Sequence, residues 1–254
     1  MELIMEKEKI IDRLMNGEAV YQQGISIDCV IFGFHDRMLK VLLNKFNVSD
    51  KWMLPVGLIM KDEDIDAAAC RVLKKKTGLD SIYLYQFHAF GSTVRPNLKE
   101  HRDILLKLGL RDENHWIAQR FVSIGYCAFL EYSKVRIRTD GDEELRWFGI
   151  DEIPPLYSDH NGIIEKALSV IRTQIRIIPI GYKLLPEKFP LSELRNIYEA
   201  ILGRELDRRN FQRKILSTEY VRKLDEIYRK PGQKPAVMFS FVREKCEEAL
   251  KKIT

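Results

Sequence analysis

Two short stretches of this chain hold side chains whose types and spacing could do chemistry, and the chemistries differ. In residues 52–79, the acids Asp62, Glu63, Asp64 and Asp66 crowd the start of a helical segment, Arg71 follows, and Lys74, Lys75 and Lys76 precede Gly78. Positions 72, 75 and 76 lie three to four residues apart, so on a helix they share a face and would converge on one ion. Carboxylates at such a spacing could hold a divalent cation. Val72, Lys75 and Lys76 offer no ligand, and two ammonium groups repel a divalent cation. The acids at the helix start are where the helix dipole favours negative charge; a hydrolase using them as displaced metal ligands is the competing reading. In residues 208–214, Arg208, Arg209, Asn210, Gln212, Arg213 and Lys214 surround Phe211. Guanidinium and amide groups of this kind read base edges in the major groove, and cationic side chains also hold phosphates.

The elements that must position these groups follow from periodicity and turn signals. Residues 27–34 and 39–45 are strand-like, joined by a turn at His35, Asp36 and Arg37. A helix is expected over 65–76, stopped by Gly78, with strands at 82–90, 121–132 and 144–150 and a helix at 163–172. Residues 97–119 interrupt this order, with Ile104, Leu105 and Leu108 at helical spacing and Trp116 near the end. The expectation is a surface insertion that packs locally or extends a dimer contact, with a lid over a pocket as the alternative.

Further along, residues 179–190 read as a proline-punctuated connection. Apolar residues at 191, 194, 197, 198, 201 and 202 then predict an amphipathic helix that Gly203 ends. Asp207 offers an N-cap to a basic helix that would bury Phe211, Ile215 and Leu216. Two helices joined by a tight glycine-containing turn are a helix-turn-helix. Strand-like runs at 220–228 and 236–241 flank the basic turn 229–235, so Lys230, Gln233 and Lys234 would sit on a wing reaching DNA backbone. The plainer alternative is a basic surface on a small packing module.

The segment 57–79 resembles the Nudix box, whose pattern is Gly, five residues, Glu, seven residues, then Arg-Glu-aliphatic-x-Glu-Glu-x-Gly-aliphatic. Gly57, Glu63, Arg71, Leu73, Gly78 and Leu79 fall on that spacing; Val72, Lys75 and Lys76 replace the glutamates that hold metal in active members. The approach Trp52-Met53-Leu54-Pro55 and the stretch 147–156, followed by Asp159 and His160, extend the likeness over residues 24–174. Joined to the basic helix and wing, the whole chain resembles the Nudix-related bacterial transcriptional regulators. The resemblance implies an α/β (α+β) fold, a mixed-sheet α/β/α sandwich followed by a winged helix-turn-helix. The expected division is an N-terminal helix at 1–19, an effector-binding domain at 20–176 and a DNA-binding domain at 180–254.

It further implies a repressor, not an enzyme and without a cofactor or metal, that binds double-stranded operator DNA as a homodimer and is released by a small molecule. Family effectors include ADP-ribose and L-arabinose; the phrase at 27–34 and the run 207–211 favour the sugar branch. By position alone, Asp28, Lys45, Glu63 and Arg71 could supply hydroxyl or phosphate partners, Gly57 belongs to the box loop, and Trp52 and Phe90 could wall a sugar face. Each has a plainer alternative: Glu63 and Arg71 bracing the loop, Trp52 in the core, His88 and His160 structural.

Composition fits this frame. A length of 254 residues with 45% apolar residues allows two packed units. No run of eighteen apolar residues appears and the N-terminal stretch mixes acids with bases, so neither a membrane span nor a signal peptide is expected. The cysteines Cys29, Cys70, Cys127 and Cys246 lack zinc spacing and read as buried free thiols in a reducing cytoplasm. Of the net charge of +5, residues 181–254 carry 17 Lys and Arg against 11 Asp and Glu, so the basic excess belongs to the C-terminal third. That asymmetry points to a polyanionic partner.

Overall fold

The computed structural model describes residues 16–79, 83–93, 98–137, 143–175, 177–228 and 235–252. The expected N-terminal helix falls largely on residues 1–15, outside the described part; Gly17–Ala19 forms one 3-10 turn. The chain divides into two compact units, one of residues 1–31, 41–128 and 135–167, the other of 32–40, 129–134 and 168–254.

The first part of the chain builds a six-stranded sheet. Its strands are β1 (Tyr21–His35), β2 (Met38–Phe46), β3 (Val56–Met60), β4 (Leu84–Phe90), β5 (Val122–Phe129) and β6 (Glu143–Gly149), ordered β4-β5-β1-β2-β6 with β3 paired to β1. In β1, Ile27, Val30, Ile31 and Phe32 are all fully buried. A continuous apolar run is what a strand needs when both of its faces are covered. The turn from β1 to β2 puts Asp36 and Arg37 at φ 51° and 62°, the left-handed pair of a two-residue hairpin. Helix α1 (Ile65–Thr77) turns Ala68, Ala69, Val72 and Leu73 inward and ends at Gly78, whose φ of 73° lets its N–H bond the carbonyl of Lys74.

The insertion forms helix α2 (Leu98–Lys107), and Leu105, Leu110, Trp116, Ile117 and Ala118 make a small core of their own, with Tyr21, Leu58 and Phe121 packed against it. The local-packing expectation for this segment therefore holds. Helix α3 (His160–Gln174) starts three residues earlier than expected, because Asn161 Oδ1 accepts the Leu156 N–H and fixes its first turn.

In the second unit, α4 (Gly181–Leu184) and β7 (Lys188–Pro190) occupy what reads in sequence as a bare connection. Strand β7 pairs with β9 (Ala236–Phe241), which pairs with β8 (Val221–Tyr228), so the wing sheet has three strands. Helices α5 (Leu191–Leu202) and α6 (Arg208–Ser217) meet expectation, and α7 (Arg243–Lys251) follows the sheet. Phe189, Leu194, Ile197, Ile201, Phe211, Ile215, Phe239 and Cys246 form the core, while Leu216 is only half-buried. A side chain at Gly181 would meet Leu194 Cδ1 at 2.2 Å, so α4 and α5 approach closely only because that residue is glycine. Cys29, Cys127 and Cys246 are buried as expected; Cys70 is not, since it falls on the outer face of α1. Among the described residues, no helix is long and apolar enough to cross a membrane.

Candidate functional site

The box loop is braced by one bidentate pair. Arg71 donates from Nε to Glu63 Oε1 at 2.7 Å and from Nη2 to Oε2 at 2.6 Å, and Nη2 also reaches the Leu58 carbonyl at 2.8 Å. Glu63 Oε2 in addition accepts the Met60 N–H. The Arg71 hydrogen bonds hold the Glu63 carboxyl below its ordinary value and raise the guanidinium. Both nominated residues thus act on the loop itself. Gly57, opposite Ile27 in the β1–β3 pair, lies so close to α1 that a Cβ there would stand 2.2 Å from Val72 Cγ2. Asp28 is buried beside it, opposite Val56. Asp66 accepts the hydroxyl of Tyr126, whose oxygen also lies 3.2 Å from the Gln86 amide, and the phenol is pushed up by its burial and by Asp66. Glu63 and Asp66 are therefore engaged elsewhere than on a common ion.

The inward face of α1 separates three lysines that are adjacent in the sequence. Lys74 and Lys75 are exposed, but Lys76 is 6% exposed and does not belong to a solvated face. Its ammonium pairs with Glu143, itself 7% exposed at the start of β6, and that carboxylate accepts Asn44 Nδ2 at 3.3 Å. The Phe46 ring centroid lies 5.8 Å from Lys76 Nζ. The local reason is helical spacing: position 76 is one turn beyond the buried Val72, so it must also face the sheet. With valine on one turn and a paired ammonium on the next, this face does not fit a divalent cation.

On the other side of the β2–β6 pair, a second cluster forms. Successive strand residues point to opposite faces, so Lys45 is directed away from Asn44, and Arg146 and Phe148 away from Glu143. Trp52 meets Phe148 edge-on at 4.9 Å, with Arg146 Cζ at 5.3 Å and Lys45 Nζ at 6.0 Å from its ring centroid. The loop carrying Trp52 is pinned by Tyr157, whose N–H bonds the Trp52 carbonyl, and by buried His160, whose Nδ1 accepts the Leu54 N–H at 2.9 Å. The insertion borders the same loop: Glu100 pairs with Lys51 at 2.7 Å and His101 lies 2.8 Å from the Tyr157 hydroxyl. Phe90 stands apart on edge strand β4, with β5 and β1 between it and β2, in contact with Phe87 and His88. The residues nominated by position thus divide among the box loop, the Trp52 cluster and the far edge, and do not line one pocket. Arg146 and Phe148 escaped sequence reasoning; their i, i+2 spacing in a strand is the only signal they leave.

In the second unit, Gly203 ends α5 at φ 66° and Asp207 Oδ1 accepts the Asn210 N–H at 2.8 Å, starting α6. Phe211 and Ile215 anchor the helix, with Phe211 against half-buried Tyr198, whose phenol is pushed up by desolvation. Arg208, Arg209, Asn210, Gln212, Arg213 and Lys214 are all exposed, and Arg213 donates to Asn210 Oδ1 at 3.0 Å. Lys230, Gln233 and Lys234 lie outside the described residues.

Comparison with known families gives the same two parts: residues 22–167 match the NUDIX domain and residues 181–241 the NrtR DNA-binding winged helix domain. The chain belongs to the Nudix domain family. A curated relative, the ADPR responsive transcriptional repressor NtrR of Acinetobacter baylyi, is 27% identical over 224 residues, which span 85% of this chain and 81% of the relative. Shewanella oneidensis NrtR, solved with a 27mer DNA, superposes with a TM-score of 0.68 at 24% identity, covering 89% of this chain and 96% of that one. A MutT/nudix family protein from Enterococcus faecalis gives 0.63 at 21% identity, covering 87% and 86%. The solved structures share the fold: a mixed α/β Nudix domain followed by a winged helix. Within this Nudix domain the box keeps its loop through Gly57, Glu63, Arg71 and Gly78, while Val72 and Lys76 fill the face from which metal would be held.

Proposed function

We propose that this Nudix protein is a transcriptional repressor whose winged helix binds operator DNA and whose Nudix domain, without hydrolysing it, binds an ADP-ribose-like effector. The observation that carries the DNA half is the exposed set on α6, six cationic or amide side chains on the second helix of a helix-turn-helix, held out from a core of Phe211 and Ile215. Such a helix reads base edges from its N-terminal turns while lysines and arginines hold phosphates. A homodimer would present two of them to half-sites about 34 Å apart.

For the effector, the name of the Acinetobacter baylyi relative favours ADP-ribose over a pentose. The Trp52 cluster supports the same choice: an aromatic face flanked by Lys45 and Arg146 suits a base and a diphosphate better than a neutral sugar. In this reading Lys45, Trp52, Arg146 and Phe148 meet the effector, Gly57, Glu63 and Arg71 shape the neighbouring loop, and Asp28 and Phe90 have secondary roles. Absence of turnover is supported by Val72 and by the engagement of Lys76 with Glu143.

The test is DNA binding by fluorescence anisotropy, with and without ADP-ribose or L-arabinose, alongside thermal unfolding. ADP-ribose should weaken operator binding and, at 100 times its Kd, stabilise the protein by about 2.7 kcal/mol; arabinose should do neither. Linkage requires operator DNA to weaken ADP-ribose binding by the same factor. Equal ADP-ribose affinity with and without operator would sink the regulatory reading, and Mg²⁺-dependent cleavage of ADP-ribose lost in Glu63→Gln would replace it with a hydrolase.

A further inference from the structure

Three elements bring polar side chains to one buried point beneath the box helix: Lys76 from α1, Glu143 from β6 and Asn44 from β2. Asn44 is fully buried, its Nδ2 donates to Glu143, and its Oδ1 is buried without a hydrogen-bond donor among the described residues. A buried carboxylate is costly unless a positive charge neutralises it. In a domain family whose box helix holds a divalent cation, that charge could come from an ion or from the chain.

We propose that Lys76 is a tethered replacement for the divalent cation: its ammonium neutralises Glu143 from a box position that carries a metal-binding glutamate in active members, and Lys76→Glu alone would convert the cluster into a metal site. Three observations support this. The ammonium is fixed at the end of a helix turn whose other inward residue, Val72, contributes no oxygen, so the positive charge that faces Glu143 on this turn comes from the chain itself. The oxygens of Glu143 are the hard donors that Mg²⁺, Mn²⁺ and Ca²⁺ take, and Asn44, whose Nδ2 now holds one of them, would offer Oδ1 to an ion by turning over its amide, since that oxygen has no donor among the described residues. A glutamate also ends about one bond short of a lysine ammonium, which would leave room for an ion between two carboxylates at metal–oxygen distances of ~2.1 Å. Chain-supplied charge has a functional consequence: ligand binding by this domain would be indifferent to divalent ions. The inference concerns the ion alone and does not depend on which effector the domain binds.

The test is thermal unfolding of the full chain in EDTA and in millimolar Mg²⁺ or Mn²⁺. The wild-type midpoint should be the same in all three. Lys76→Glu should unfold about 10 °C lower in EDTA, two carboxylates then sharing a buried site, and should recover several degrees with Mn²⁺ in a saturable way. Lys76→Glu with Glu143→Gln should lose that recovery. A wild-type midpoint that rises with Mn²⁺, or a folded Lys76→Glu that gains nothing from it, overturns the proposal. If Lys76→Glu yields no folded protein even when refolded with Mn²⁺, the decision passes to Lys76→Met against Lys76→Met with Glu143→Gln. Greater stability of the double variant supports charge neutralisation by Lys76, and equal stability overturns it.

Discussion

Helices α1 and α6 are both short, both rich in basic residues and both placed after an acidic cap position, yet they use their cations in opposite ways. In α1 the run Lys74–Lys75–Lys76 splits, two lysines going to solvent and the third inward to Glu143. In α6 every cation faces outward, because the apolar anchors Phe211 and Ile215 take all of the inward positions. Lysine at a motif position therefore has no fixed meaning. On the buried side it acts on stability by pairing with a buried carboxylate, whereas on the exposed side it acts on a partner through a field that salt screens.

That contrast can be broken at its strongest point by Lys76→Met, which leaves Glu143 buried without its ammonium. The expected cost is about 3–5 kcal/mol in chemical denaturation, with operator affinity of the remaining folded protein unchanged. A loss below 1 kcal/mol would mean that solvent reaches Glu143 and that the two helices do not differ as described.

Arg209→Ala on α6 should do the reverse. Stability should stay within about 0.5 kcal/mol, while operator binding weakens by about 1–3 kcal/mol if the guanidinium reads a base. If it holds a phosphate, binding should weaken alike on all sequences and the slope of log affinity against log salt should fall by about one. Asp207→Ala sits between the two classes. Losing the cap on Asn210 N–H should lower stability by about 1 kcal/mol and fray the turn that presents Arg208, Arg209 and Asn210, so both readouts should move modestly.

The smallest effect expected is at Glu63. Its carboxyl is held below the ordinary value of 4.5 by Arg71, so the pair contributes fully above that value and is lost as pH falls through the lower folded value. Arg71 is 38% exposed at the side chain, and solvent screening keeps the contribution under about 1 kcal/mol. Glu63→Gln should thus narrow the stability difference between neutral and acidic pH by that amount while leaving DNA affinity at neutral pH unchanged.

Much of the architecture was legible before the fold was known. The helix over 65–76, the helix-turn-helix from 191 to 217 and the two long wing strands are set by local periodicity and by caps at Gly78, Gly203 and Asp207, all of which act within a few residues. The short strand β7 was not legible, because three residues carry no period; it exists through pairing with β9 some fifty residues later. The placement of the effector candidates was not legible either. Phe90 and Trp52 look equivalent as exposed-strand or loop aromatics, and only strand order separates them.

By itself the sequence determined that residues 72, 75 and 76 supply no metal ligand and that a basic helix follows a glycine turn, since both depend only on residue type and helical spacing. Tertiary structure alone decided that Lys76 turns inward, that its partner is Glu143, 67 residues away, and that Arg146 joins Lys45 on Trp52. Those facts rest on which strands lie side by side, and strand neighbours are fixed by burial of the whole sheet, not by any segment's own pattern.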